Sequence, residues 1–299
     1  MDYELYHDES QVGGYWHGIL LVPTQGKSKL LGYLHAARAH THFDGVLGIK
    51  HIRVRNEAYD CADAWLQTAV ASLMSDNKGW AYPVFAGEAY DGRRSYSFFG
   101  DVIGAKFILF CERDNLQAMA LVPDYGSKVE ITFRMGFKGG IHLLGHFDAT
   151  IHIAAMHFDG HQHLLRHVSR RRIIERIGAL REYCSISPRP DLIDDRSSNH
   201  QRTDSQAYDD CQLLQLTDLL VGSFRTALGY HTGRRIHKTL AQPVRSLVNR
   251  YVRGYARMRN SRWFNSFCMS RCYLAGGKWF FEPLECLPDP GIEQLPLPL

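Results

Sequence analysis

No apolar run in the 299 residues approaches the roughly 18 that a membrane span needs. The first twenty residues carry acids early and no basic stretch ahead of an apolar one, so no secretory leader is expected. Both absences point to the cytoplasm, with no membrane as partner. No two cysteines stand at CxxC spacing. The seven present, Cys61, Cys111, Cys184, Cys211, Cys268, Cys272 and Cys286, are scattered and odd in number. That suits reduced core thiols better than a disulfide framework, with Cys268, Cys272 and Cys286 as a weaker zinc alternative. There is no phosphate-cradling glycine loop, no cysteine-nucleophile motif and no internal repeat. What is there, at 45% hydrophobic and 22% charged residues, is enough apolar material for a large core.

One further absence is local. From Arg225 to Arg271 there is no Asp or Glu, against eleven Arg or Lys. Taken from a total of +4, that leaves −7 for the rest of the chain. A basic block beside a mildly acidic body suggests an anionic polymer as partner. Arg245, Arg250, Arg253, Arg257, Arg259 and Arg262 are the candidate nucleic-acid contacts. They are interleaved with Tyr251, Tyr255, Trp263 and Phe264, which can stack on bases. The competing reading is a solvated helix face with the aromatics in the core. Arg170-Arg171-Arg172 extends the surface or is a plain charged face.

The patterning gives an α/β chain. Tyr3 to Ser10 alternates, with Tyr3, Leu5 and His7 on one face and Glu4, Tyr6 and Asp8 on the other. Gln11 to Gly14 turns, and Tyr15 to Val22 returns as a second strand. A short helix is expected over 29–38 and a strand over 46–52. Ala58, Cys61, Ala62, Trp65, Leu66, Ala69, Val70 and Leu73 mark an amphipathic core helix capped by Asn56. Strands follow at 82–85, 106–111, 128–135 and 149–158. A basic helix is expected over 166–183 and an exposed loop or lid over 186–208. Gln212 to Leu228 reads as a buried helix whose one polar line is Gln215, Asp218, Gly222 and Arg225. The expected organisation is an α/β domain at 1–230, a basic helical extension at 231–281 and a Pro-rich tail at 282–299.

Four carboxylates stand where rigid elements end or are buried. Asp8 and Glu9 close the first strand, Asp159 closes the fourth long one, and Asp218 lies in the polar seam. An ionised carboxylate on so apolar a helix must be paired, hydrated or bound to a cation. An Asp218–Arg225 pair, and a simple turn-opening role for Asp8-Glu9-Ser10, are the bland alternatives.

Tyr6-His7-Asp8-Glu9-Ser10, together with Leu214-Gln215-Leu216-Thr217-Asp218-Leu219-Leu220-Val221-Gly222, resembles the bacterial and phage domain-of-unknown-function family 3800. The likeness runs in order and spacing over about residues 3–230, and Asp204-Ser205 resembles an Asp-Ser pair of that family. It implies a ribonuclease-H-like mixed sheet flanked by helices. It also implies a nuclease that hydrolyses RNA or DNA with Mg²⁺ or Mn²⁺, in phage defence or mobile-element biology. Metal would fall to Asp8, Asp159, Asp218 and Asp204. Glu9 would bind metal or hold a water, and Lys50 would contact the scissile phosphate. A regulatory protein partner and self-association are both compatible with it. One departure stands out: family members often have Glu-apolar-Lys where this chain has Gly48-Ile49-Lys50.

Two readings compete. A non-catalytic nucleic-acid-binding module would keep the fold with a degenerate cluster. A zinc hydrolase would use Asp159, His161 and His163, since alternating histidines can ligate zinc.

Overall fold

The structure, a computed structural model, describes residues 2–10, 14–73, 82–83, 96–97, 104–112, 136–141, 151–159, 184–195, 205–230, 233–255, 267–276 and 278–284. It is α/β: a mixed sheet flanked by helices. The strands are β1 (Asp2–Ser10), β2 (Tyr15–Pro23), β3 (Tyr82–Pro83), β4 (Tyr96–Ser97), β5 (Lys106–Glu112), β6 (Ile151–Asp159), β7 (Cys184–Asp195), β8 (Phe267–Ala275) and β9 (Lys278–Pro283). The helices are α1 (Thr24–Thr41), α2 (Glu57–Leu73), α3 (Ser205–Ala227), α4 (Arg235–Leu240) and α5 (Gln242–Tyr255). The main sheet runs β7-β6-β1-β2-β5-β8-β9, and β3 and β4 pair separately. β1 and β5 each pair antiparallel with β2. β6 runs parallel to β1 and β7 parallel to β6.

The strand alternation read from the sequence sets the two faces of the sheet. Tyr6 stacks on His157 at 4.4 Å between ring centroids, and its hydroxyl donates to Asp210 of α3. The even-numbered side chains of β1 therefore face α3. His7, on the other face, stacks against His17 and meets the edge of Phe158. Leu213, Leu216, Leu220 and Phe224 of α3 are buried, and Phe224 stacks on Phe107 of β5.

Glycine decides how closely α3 lies on β2. Gly18 is the register partner of Asp8, and a Cβ on it would sit 2.1 Å from Val221 Cγ2. With no side chain there, the helix drops onto the sheet beside Asp8. Gly18→Ala should lift α3 away, at about 1–3 kcal/mol of unfolding free energy. A denaturant midpoint lowered at constant slope is the expected readout.

Several sequence expectations change. The first helix covers 24–41 rather than 29–38. Residues 46–52 are not a strand. They form an irregular segment with a 3₁₀ turn at Ile49–His51, because the N–H groups of Leu47 and Ile49 bond α3 instead of another strand. The expected loop at 186–208 contains β7 and the start of α3. Pro188 and Pro190 fall in a bulge, where pairing jumps from Ile186 to Asp191, on an edge strand that tolerates them. The C-terminal extension is not wholly helical. After α4 and α5 it returns as β8, parallel to β5, and β9. Gly276, at a φ of 55° that favours glycine, leads out of β8 just after Ala275, the partner of Lys278. The strand expected at 128–135, the helix expected at 166–183 and most of the tail lie outside the described residues.

The α2 expectation holds. Its cap is Asn56, whose side chain accepts from Tyr59 N–H at 3.2 Å, and its apolar stripe is buried from Cys61 to Leu73, with Ala58 partly so. Cys61, Cys111, Cys211 and Cys268 are buried single thiols. Cys268 donates to the Gly140 carbonyl, and burial pushes its thiol upward, the reverse of what a zinc thiolate needs. Among the described residues, no helix is long and apolar enough to cross a membrane.

Candidate functional site

Asp8 follows His7, the last paired residue of β1 against β6, and Asp159 follows its partner Phe158. The two carboxylates therefore end adjacent parallel strands and point to the α3 face. Asp218 arrives from α3, one turn before the Val221 that rests over Gly18. Asp8 and Asp218 share a side-chain hydrogen bond. Burial, then the charges of Asp218 and Asp159, push the Asp8 carboxyl well above its usual range. Burial also raises Asp218, but Ile49 N–H, the Lys50 charge and the Asp8 hydrogen bond oppose it. Two close, buried carboxylates cannot both ionise without a cation, so the pair holds a proton to a higher pH than isolated carboxylates would.

The polar seam read on α3 turns out to be a docking rail for residues 43–50. Gln215 Oε1 accepts from Leu47 N–H at 2.9 Å and from Arg38 Nη2 at 2.8 Å. Asp218 Oδ2 accepts from Ile49 N–H at 2.8 Å. Gly222 leaves room for the Ile49 side chain, which a Cβ would approach to 2.8 Å. Arg38, buried in α1, also donates through Nε to Gln212 at 2.6 Å and through Nη1 to the Gly45 carbonyl at 2.8 Å. Its guanidinium lies 4.7 Å above the Trp65 ring. The rail thus delivers Gly48-Ile49-Lys50 to Asp218. A Cβ at Gly48 would lie 3.0 Å from Asp218 Oδ2, so Gly48 sits against the acid itself.

The other sequence candidates distribute as follows. Lys50 is exposed and beside Asp218. Glu9 points to the opposite sheet face from Asp8, and the Tyr15 hydroxyl donates to it at 2.5 Å. The metal or water role expected for Glu9 alongside Asp8 stays an expectation, although the Glu9 charge still acts on Asp8. Arg225 is buried within α3, and burial lowers its pKa while the Asp218 charge opposes that. Arg245 is partly exposed on α5. Arg250 and Arg253 lie on the same helix, while Arg257, Arg259 and Arg262 lie outside the described residues. So do Asp204, His161, His163 and Cys286.

A second polar cluster was missed. Among the described residues, Glu4, His157 and Asp210 are the group whose ligand atoms lie within 4.8 Å of one another. Lys27 of α1 already bridges the two acids, with Nζ at 2.6 Å from each. The Tyr6 hydroxyl lies 2.7 Å from an oxygen of each and has one proton to share between them, and His157 reaches Glu4 at 3.2 Å. An ammonium therefore supplies the positive charge that a metal would bring, and the cluster ties β1, β6, α1 and α3 together. The signal was present: Glu4 and Tyr6 share the strand face of Asp8, and Asp210 lies about two helical turns before Asp218. Lys27 has no such periodic mark.

Burial alone would raise Glu4, but hydrogen bonds from His157, Lys27 and Tyr6 and the Lys27 charge hold it at about 2, against 4.5 unperturbed. A depressed folded-state value gives stability that is full above the unfolded pKa of 4.5 and lost as pH falls toward 2. Glu4→Gln should flatten the acid limb of a stability–pH curve in that window and lower stability near neutrality. Thermal unfolding from about pH 2 to 7 reads both effects.

A cavity of about 510 Å³ lies elsewhere, lined by His35, Arg38, Ala39, His42, Phe43, Asp44 and Tyr208. It contains none of the Asp8, Asp159 or Asp218 side chains. No family model, no curated protein and no solved structure matches the chain.

Proposed function

We propose that the protein is a divalent-metal-dependent nuclease of ribonuclease-H-like architecture. The observation that carries this reading is the meeting of Asp8 and Asp218, which are 210 residues apart in sequence, with the Asp159 charge acting on both. An antiparallel β1-β2-β5 section continued by parallel β6 and β7 supports the architecture. Acids at the ends of two parallel strands, crossed by a helix carrying a third, support the chemistry.

The residues present fit a hard cation. Asp8 and Asp218 are forced to share a proton, and a divalent ion is what such a pair takes up when the proton leaves. Asp8, Asp159 and Asp218 would hold Mg²⁺ or Mn²⁺, since carboxylate oxygens suit either. When bound, such an ion activates water and neutralises charge on a phosphodiester. The chain's own groups do the rest. Ile49 N–H fixes one oxygen of Asp218. Lys50, exposed beside them, meets a phosphate oxygen. Gly18 and Gly222 set the depth at which α3 and residues 48–50 approach.

Incubation of the protein with labelled RNA and DNA, with and without Mg²⁺ or Mn²⁺, tests the reading. Metal-dependent cleavage that Asp8→Asn and Asp218→Asn abolish is expected, and cleavage that survives both rules it out. Gly48 favours a second reading, a nucleic-acid-binding module lacking one carboxylate. Binding of nucleic acid with no cleavage in either metal would select it.

A further inference from the structure

Two basic stretches far apart in sequence are joined at the edge of the acid cluster. The first runs straight on from Ile49: Lys50, His51, Arg53 and Arg55 are all exposed, while Ile52 between them is buried. The second opens α4, where Arg234 and Arg235 are exposed. His237 clamps one to the other. It is buried on α4, and its Nε2 lies 2.9 Å from the Ile52 carbonyl. It also hydrogen-bonds the Ile49 backbone. The Arg55 guanidinium is propped 5.4 Å above the Tyr59 ring. Neither 50–56 nor 231–242 contains an acid.

We propose that Lys50, Arg53, Arg55, Arg234 and Arg235 form one phosphate-binding strip that leads a polynucleotide to the Asp8–Asp218 cluster. The proposal rests on the nuclease reading for the destination of the strand, not for its binding. Five exposed cations on short, braced segments make a row of charges whose own segments carry no acid, although Asp218 acts on Lys50 and Asp63 on Arg55. Repeating phosphates answer such a row, with weak sequence preference and strong salt dependence. The strip is distinct from the arginines of α5 and beyond, which the sequence pattern favoured. Its charges come from both sides of that block's boundary, so no linear scan of charge would unite them.

The test is binding in EDTA, so that no cleavage intervenes. Fluorescence anisotropy follows labelled single-stranded and duplex RNA and DNA over a salt series. The variant R53Q/R55Q/R234Q/R235Q is compared with R245Q/R250Q/R253Q, and thermal unfolding confirms that each is folded. The strip variant should bind about 30-fold or more weakly at about 0.1 M salt. Its slope of log affinity against log salt should fall by about 3, because four arginines no longer displace counterions from the phosphates. The α5 variant should change far less. Unchanged affinity in the strip variant, or weakening only in the α5 variant, overturns the proposal, as does a wild-type protein that binds no polynucleotide. Strip-dependent binding without cleavage in Mn²⁺ would sink the nuclease reading and leave the strip standing. Cleavage at unchanged KM in the strip variant would do the reverse.

Discussion

Asp8→Asn should abolish cleavage and yet make the metal-free protein more stable. Loss of about a thousandfold in kcat is expected from removing a group that sits at the reacting centre. The stability gain follows from the sign of the shift. Burial and the Asp218 and Asp159 charges raise Asp8 in the folded state. The folded protein therefore holds that proton at a pH where the unfolded chain has released it. Such a group favours the unfolded state increasingly as pH rises from the unfolded value of about 3.9 through the folded one. Asparagine is neutral without taking up a proton, so the penalty vanishes. Melting in EDTA near neutral pH should rise by a few degrees, corresponding to about 1 kcal/mol. The gain should shrink toward about pH 4 and be cancelled when Mn²⁺ is added to the wild type. A variant that is both inactive and less stable at every pH would show Asp8 to be a structural acid.

Arg38→Met should cost about 3 kcal/mol or more, the largest stability effect expected for this chain. Methionine keeps some contact with Trp65 but strips donors from Gln212, Gln215 and the Gly45 carbonyl at once. Buried acceptors left without partners cost about 1–3 kcal/mol each, and neighbours share the loss. The loop from Phe43 to Leu47 would then hang from α3 by Gln215 and Leu47 alone. Ile49 N–H would no longer be delivered to Asp218. Cleavage should fall about tenfold or more at temperatures where the variant is folded, with the metal midpoint shifted upward. Arg38→Lys should recover little of either, because one ammonium cannot reproduce a three-way fork. Urea unfolding with a metal titration separates the two effects.

How much of this could be read from residues alone depends on where the partner groups lay. The α2 stripe was plain because its partners are its own neighbours at helical spacing. The seam on α3 was visible as a line, but what it bonds was not. Leu47 and Ile49 looked like part of a strand because an apolar run carries no mark of whether its N–H groups meet a strand or a glutamine and an aspartate. Pro188 and Pro190 argued for a loop, and a bulge on an edge strand accommodates both. Gly276-Gly277, between Tyr273-Leu274-Ala275 and Trp279-Phe280-Phe281, was an available hairpin signal. The basic composition around it drew attention to helix instead. Asp8 and Asp218 were singled out from an end-of-strand position and an isolated polar place. Their proximity also needed Gly18, whose meaning appears only once Val221 lies over it. Lys27, bridging Glu4 and Asp210, had no pattern to betray it.

Direct measurement of Mn²⁺ binding by titration calorimetry bears most closely on the central claim that Asp8 and Asp218 form one cation site. Wild type should bind, Asp8→Asn and Asp218→Asn should each weaken binding by about 100-fold or more, and Glu4→Gln should leave it nearly unchanged. Binding that survives both aspartate variants, or that disappears only with Glu4→Gln, would contradict the account.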